Sequence, residues 1–167
     1  MRILHYFLGF PPFRAGGLTN FAYDLMREQS NRGHEVSALW PGQIEPFRKS
    51  VSIVARKAVE HIHSYEILNP LPVPFDEGIV DIERYTMNCE SSCFTAFLKR
   101  LAPDVIHIHT LMGLHQELIE AANALHIRTV FTTHDYFGLC PKVTLFRNGD
   151  ICRSAQSCED CAVCDRS

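Results

Sequence analysis

Apolar positions along this chain come in two rhythms, short continuous runs and stretches with helical spacing, and the two alternate. Arg2 to Leu8 is an apolar run that ends in the Gly/Pro-rich stretch Gly9 to Gly17, which predicts a buried strand followed by a loop. Leu18, Phe21, Ala22, Leu25 and Met26 then fall on one face of a helix, with Thr19 as its expected cap and Gly33 as its stop. His34 to Trp40 reads as the next strand, and a short return from helix to strand predicts a parallel, right-handed unit.

Between Gln43 and Ile62 the pattern fits a strand (Val51, Ile53, Ala55) about as well as a helix (Val51, Val54, Ala58, Ile62), and both readings stay open. Ser64 to Leu68 is a further candidate strand, and the proline-spaced segment Asn69 to Pro74 is an extended loop, because each proline disfavours helix in the residue before it. Phe94, Phe97, Leu98 and Leu101 mark an amphipathic helix ending before Pro103. Asp104 to His109 is a strand, Leu114 to Leu125 a helix and Arg128 to Thr133 a strand. Such alternation predicts an α/β domain: a Rossmann-like open, mostly parallel sheet with helices on both faces, spanning residues 1–139. Residues 140–167 carry neither period and read as a Cys-rich loop or tail.

Composition narrows the function classes. With 46% hydrophobic and 21% charged residues, 167 residues can bury one substantial core. A formal charge of -3 with dispersed Lys and Arg argues against nucleic-acid binding. Arg48, Lys49, Arg56 and Lys57 form only a weak basic patch, compatible with peripheral membrane contact or with a solvated helix face. The apolar start is short, is interrupted by His5 and runs into Pro11-Pro12 without a cleavage site, so the expected location is cytoplasmic.

In a sheet of this kind ligands bind beyond the carboxyl ends of the strands. Three polar groups fall there: Gly16-Gly17, His109-Thr110 and His134-Asp135. Gly16-Gly17 ahead of a helix lets backbone amides approach an anion, although the same pair also suits a plain tight turn. His107 and His109 share a strand face and could ligate a metal, but a buried, hydrogen-bonded histidine is the commoner outcome. His134, at a strand end, can hydrogen-bond a sugar hydroxyl or steady charge near a leaving phosphate.

Cys140, Cys152, Cys158, Cys161 and Cys164 cluster in the tail, the last three at Cys-x-x-Cys-x-x-Cys spacing. Four of these five could hold structural zinc; free thiols and an iron-sulfur cluster are the other readings. Cys89 and Cys93 read as ordinary thiols on a helix.

Four segments together resemble the N-terminal domain of the retaining "group 1" glycosyltransferases. They are Met1-Arg2-Ile3-Leu4 leading to Gly16-Gly17, Arg32-Gly33-His34-Glu35-Val36, Pro103 to His109, and Thr133-His134-Asp135-Tyr136. Each is common alone, but their order and spacing are specific, and the match runs from Met1 to about Pro141. The resemblance implies the N-terminal half of a GT-B fold, two Rossmann-like domains with the active site between them, of which this is the acceptor-side one. The C-terminal donor domain and its glutamate motif would then be missing from this chain, which alone would be incomplete as an enzyme.

It further implies sugar transfer with retention, from a nucleotide-sugar donor to a sugar or lipid-linked acceptor such as a cell-envelope or exopolysaccharide precursor. No cofactor would be required for catalysis. Gly16 and Gly17 would lie against donor phosphates and acceptor, and His134 would contact the transferred sugar as the catalytic position. From their strand-end positions, not from the resemblance, His109 and Asp135 are expected to complete the substrate site. The competing readings are a non-catalytic metal-binding or redox interaction module and a fragment of a nucleotide-sugar epimerase.

Overall fold

The computed structural model describes residues 1–47, 50–73, 83, 88–137, 139–140, 143–147 and 149–153. A six-stranded sheet carries the domain, in the order β3-β4-β2-β1-β5-β6. Its strands are β1 (Arg2–Tyr6), β2 (Glu35–Pro41), β3 (Ser52–Val59), β4 (Ile62–Leu68), β5 (Val105–Ile108) and β6 (Arg128–Phe131). All pairings in it are parallel except β3 with β4. Among the described residues the helices are α1 (Gly17–Asn31), α2 (Ser92–Leu101) and α3 (Gln116–Ala124).

Alternation along β1 sends its side chains to two different cores. Leu4 and Tyr6 face Phe94, Phe97, Leu98 and Leu118, the apolar sides of α2 and α3. On the other face Phe7 meets Ala22 and Met26 of α1, together with Val36, Ala38 and Ile62. Helices therefore cover both faces, as the alternation predicts. β1 pairs with β2 on one side and β5 on the other, so the chain reverses its winding direction there and opens a crevice at the carboxyl ends of β1 and β5.

The ambiguous stretch resolves as strand. β3 turns through Glu60, at φ 53°, into β4 and forms the antiparallel edge of the sheet. Arg56 pairs with Glu66 from the neighbouring strand. Arg56 and Lys57 thus sit on an exposed edge strand and not on a helix face, and charged side chains there discourage strand addition. Arg48 and Lys49 lie outside the described residues.

Three other expectations need correcting. Thr19 does not cap α1: it is buried inside the helix, and the cap position falls to Gly16. Residues after Cys140 are not all loop, since β7 (Phe146–Arg147) and β8 (Asp150–Ile151) form a small antiparallel hairpin. These pairs are too short for periodicity to reveal. Cys89 lies in the segment before α2, and only Cys93 is on the helix. Among the described residues no helix is long and apolar enough to cross a membrane.

Candidate functional site

Where β1 ends, the chain must turn sharply and enter α1, and Gly16 makes that turn at φ 129° and ψ 169°, a conformation few residues other than glycine adopt. Among the described residues, chain neighbours and the helix's own backbone aside, neither Gly16 nor Gly17 has any atom within 4 Å of where a Cβ would stand. Among the described residues no side chain caps α1, and no acidic residue occupies its first turn, so its leading amides keep their hydrogen-bonding capacity and partial positive charge. They line a cleft of about 230 Å³ together with Leu8, Thr19, Met112 and Asp135. Asp135 turns one carboxylate oxygen back to accept the Phe137 N–H at 3.0 Å, which holds the loop after β6 in place. The fold thus brings Gly16, Gly17 and Asp135 into one space.

Histidines stand behind this cleft. His5 and His107 are register partners on β1 and β5, and His109 follows two positions on, carried past the strand by its N–H bond to the Tyr6 carbonyl at 2.9 Å. Their rings pack under α1, with the His107 and His109 centroids 4.2 Å apart. Gln29 Oε1 lies 2.7 Å from His5 Nε2. His5 Nδ1 lies 3.0 Å from His109 Nε2, and His109 Nδ1 lies 3.3 Å from His134 Nε2.

Neutral imidazole carries one donor and one acceptor, so the end of this series sets its direction. Gln29 Oε1 only accepts, which makes His5 Nε2 a donor and His5 Nδ1 an acceptor. His109 Nε2–H then donates to His5, and His134 Nε2–H donates to His109 Nδ1. His134 is left with a lone pair on Nδ1. The ring of His134 also meets Phe21 of α1 edge-on, with centroids 5.0 Å apart.

Burial keeps the series neutral. Desolvation lowers His5 to a pKa of about 4 against the smaller opposing effect of Gln29, and lowers His109 to about 3 with help from its histidine neighbours. His107 and His134 are lowered by the same cause, His134 against a raising effect from Asp135. His109 is 1% exposed, so it stands under His134 and would act on a ligand through it.

Three nitrogens of His5, His107 and His109 fall within 4.8 Å of one another, close enough to suggest a metal. His5 and His109 each commit both nitrogens to the hydrogen-bonded series, and His107 Nε2 lies 2.8 Å from Thr132 Oγ1, so an ion there would have to break these bonds. His5 and Gln29 were missed by sequence reasoning. The available signal was a histidine inside an otherwise apolar buried strand, since such a residue needs a partner.

Of the tail cysteines, Cys140 and Cys152 are both partly buried. Cys158, Cys161 and Cys164 lie outside the described residues.

Residues 15–150 match the family model described as Glycosyltransferase Family 4. Among solved structures, the chain is similar to an α,α-trehalose-phosphate synthase (UDP-forming) from Burkholderia xenovorans in complex with glucose-6-phosphate. The two share 14% identity over 80% of this chain and 32% of that one, with a TM-score of 0.36. This chain therefore spans about a third of that structure's length. No curated protein matches it.

Proposed function

The chain belongs to glycosyltransferase family 4, and from that premise we propose that it supplies the acceptor-side half of an enzyme that moves a sugar, with retention, from a nucleotide-sugar to a cell-envelope or exopolysaccharide precursor. One observation carries the reading: the uncapped start of α1 at Gly16-Gly17 opens into the same cleft as Asp135, with His134 next in the chain. Helix-end amides suit a phosphate, and an adjacent neutral imidazole suits a sugar hydroxyl.

In this reading the donor phosphates rest against the first turn of α1. Charge gathers on the leaving phosphate as the bond to the sugar breaks, and amides already aimed at it stabilise that charge without reorganising. His134 Nδ1 accepts a hydrogen bond from a hydroxyl of the transferred sugar and fixes the ring. Asp135 and the Gly16-Gly17 backbone hold the acceptor. The leaving phosphate takes the proton from the acceptor hydroxyl, so the pair of carboxylates used by glycosidases is not required.

Amide spectra of the chain titrated with nucleotide-sugars, sugar phosphates and inorganic phosphate test the binding half of this reading. Shifts confined to Gly16, Gly17, Leu18, Asp135 and their neighbours are expected, stronger for the phosphate-bearing sugars than for free sugar. Shifts elsewhere, or none with any phosphate compound, would overturn it. Uptake of iron with sulfide in the tail would instead favour the redox-module reading.

A further inference from the structure

A second cluster lies on the opposite face of the sheet, away from the cleft. His115 takes the position before α3, is 3% exposed and packs beside Phe94, with ring centroids 5.9 Å apart. Its Nε2 is 3.2 Å from the Asn69 carbonyl, which can only accept, so Nε2 carries hydrogen. A neutral ring then holds a lone pair on Nδ1, and that atom is buried with no hydrogen-bond partner among the described residues.

Facing Nδ1 is another acceptor, Glu117 Oε2, at 4.0 Å, on a carboxylate that is itself buried. The third member is Cys89. Its backbone N–H donates to Glu117 Oε1 at 2.7 Å, and its sulfur lies beside the same carboxylate. One sulfur, one nitrogen and one carboxylate oxygen lie within 4.8 Å of one another.

Two buried acceptors turned toward each other beside a thiol lack a positive centre. We propose that Cys89, His115 and Glu117 form a binding site for a zinc-like divalent cation. Sulfur, imidazole and carboxylate are the ligand types zinc takes, at about 2.0–2.3 Å, so the three atoms need to draw together by about an ångström. The ion displaces the thiol proton to solvent. Thiolate and carboxylate then balance its two charges, leaving a buried site that is neutral overall. Water completes the coordination.

Such an ion ties the segment before α2 to the first turn of α3, and through the His115 bond to Asn69 it reaches the end of β4. The site is separate from the histidines under α1 and from the tail cysteines. It does not depend on the proposed sugar transfer.

A protonated His115 could also answer Glu117, and the experiment separates the two. The full chain is prepared with Cys140, Cys152, Cys158, Cys161 and Cys164 all replaced by Ser, and Co²⁺ and Zn²⁺ are the probes. One equivalent of Co²⁺ is expected to give a sulfur-to-cobalt charge-transfer band and tetrahedral d–d bands. Zn²⁺ should abolish both by competition, and should shift the His115 Nδ1 nitrogen resonance. Cys89→Ser should remove the charge-transfer band. His115→Gln and Glu117→Gln should weaken binding by more than the ~10–100-fold typical of outer-shell changes. The nitrogen resonance is read on the chain with Cys89, His115 and Glu117 intact, so a misfolded variant does not decide the matter. No band and no shift at His115 Nδ1, or binding unchanged in all three variants, overturns the proposal.

Discussion

His5 Nδ1 and His109 Nε2 lie 3.0 Å apart in the buried centre of the domain, although 104 residues separate them in the chain. Because Gln29 sets the direction of the series, His5, His109 and His134 are all expected as Nε2–H tautomers. Long-range nitrogen–proton spectra of the imidazoles read this directly. Gln29→Leu removes the acceptor at the start, so the three rings should lose their single tautomer while the amide spectrum stays folded. Nδ1–H forms in the unmutated chain would contradict the assignment.

Stability should fall with acid as the pH drops below the range of an unfolded histidine. His5 and His109, at about 4 and about 3 in the folded chain, lie below the ~6.5 of an unfolded histidine. The unfolded chain therefore binds more protons between those values. The stabilising contribution is full above about pH 6.5 and is lost as pH drops through the range down to about 4 and 3. Urea unfolding midpoints at pH 7.5 and pH 5 check this. A lower midpoint at pH 5 is expected, with a shallower pH slope in His109→Gln; a midpoint equal or higher at pH 5 would contradict it.

Gly16 and Gly17 should separate stability from binding. Gly16→Ala forces a φ of 129° on a residue with a Cβ, and such strain costs ~1–3 kcal/mol. A Cβ at Gly17 meets no described atom within 4 Å, so Gly17→Val should leave the thermal midpoint nearly unchanged, yet its side chain enters the space proposed for a phosphate. Binding of a nucleotide-sugar by calorimetry should weaken about tenfold or more in Gly17→Val, equivalent to ~1.4 kcal/mol. Unchanged affinity would remove Gly17 from the site.

What could be read from the sequence divides by the range of the interactions involved. β1, α1 and β2 were legible because their cores are written in local periods, as with Leu18, Ala22 and Met26. Gly16-Gly17, His134 and Asp135 were legible because strand ends in a parallel sheet gather on one side. His5 and Gln29 were not, since their pairing is fixed by how α1 lies on β1. Cys89, His115 and Glu117 were missed for the same reason: the neighbouring helices α2 and α3 bring them together, and no spacing records it. β3 stayed ambiguous because Arg56 and Lys57 sit on an exposed edge, where alternation is weak.

The tail cysteines carry their own expectation. If four of Cys140, Cys152, Cys158, Cys161 and Cys164 hold structural zinc, elemental analysis should find an ion that survives Cys89→Ser. Four thiols should then stay protected from titration until a chelator is added. Five reactive tail thiols in the native chain would retire that site, without touching the family assignment.

α1 begins at the cleft with Gly17 and ends at Asn31, two residues past Gln29, which at 1.5 Å per residue places its two ends about 20 Å apart. The hydrogen-bonded histidines climb back from Gln29 to the cleft beneath it. If the cleft takes a sugar as proposed, anyone transplanting the upper loops onto another scaffold would carry over His134 and leave behind the residues that orient it. A working graft has to bring Gln29 and His5 as well, although neither lines the cleft.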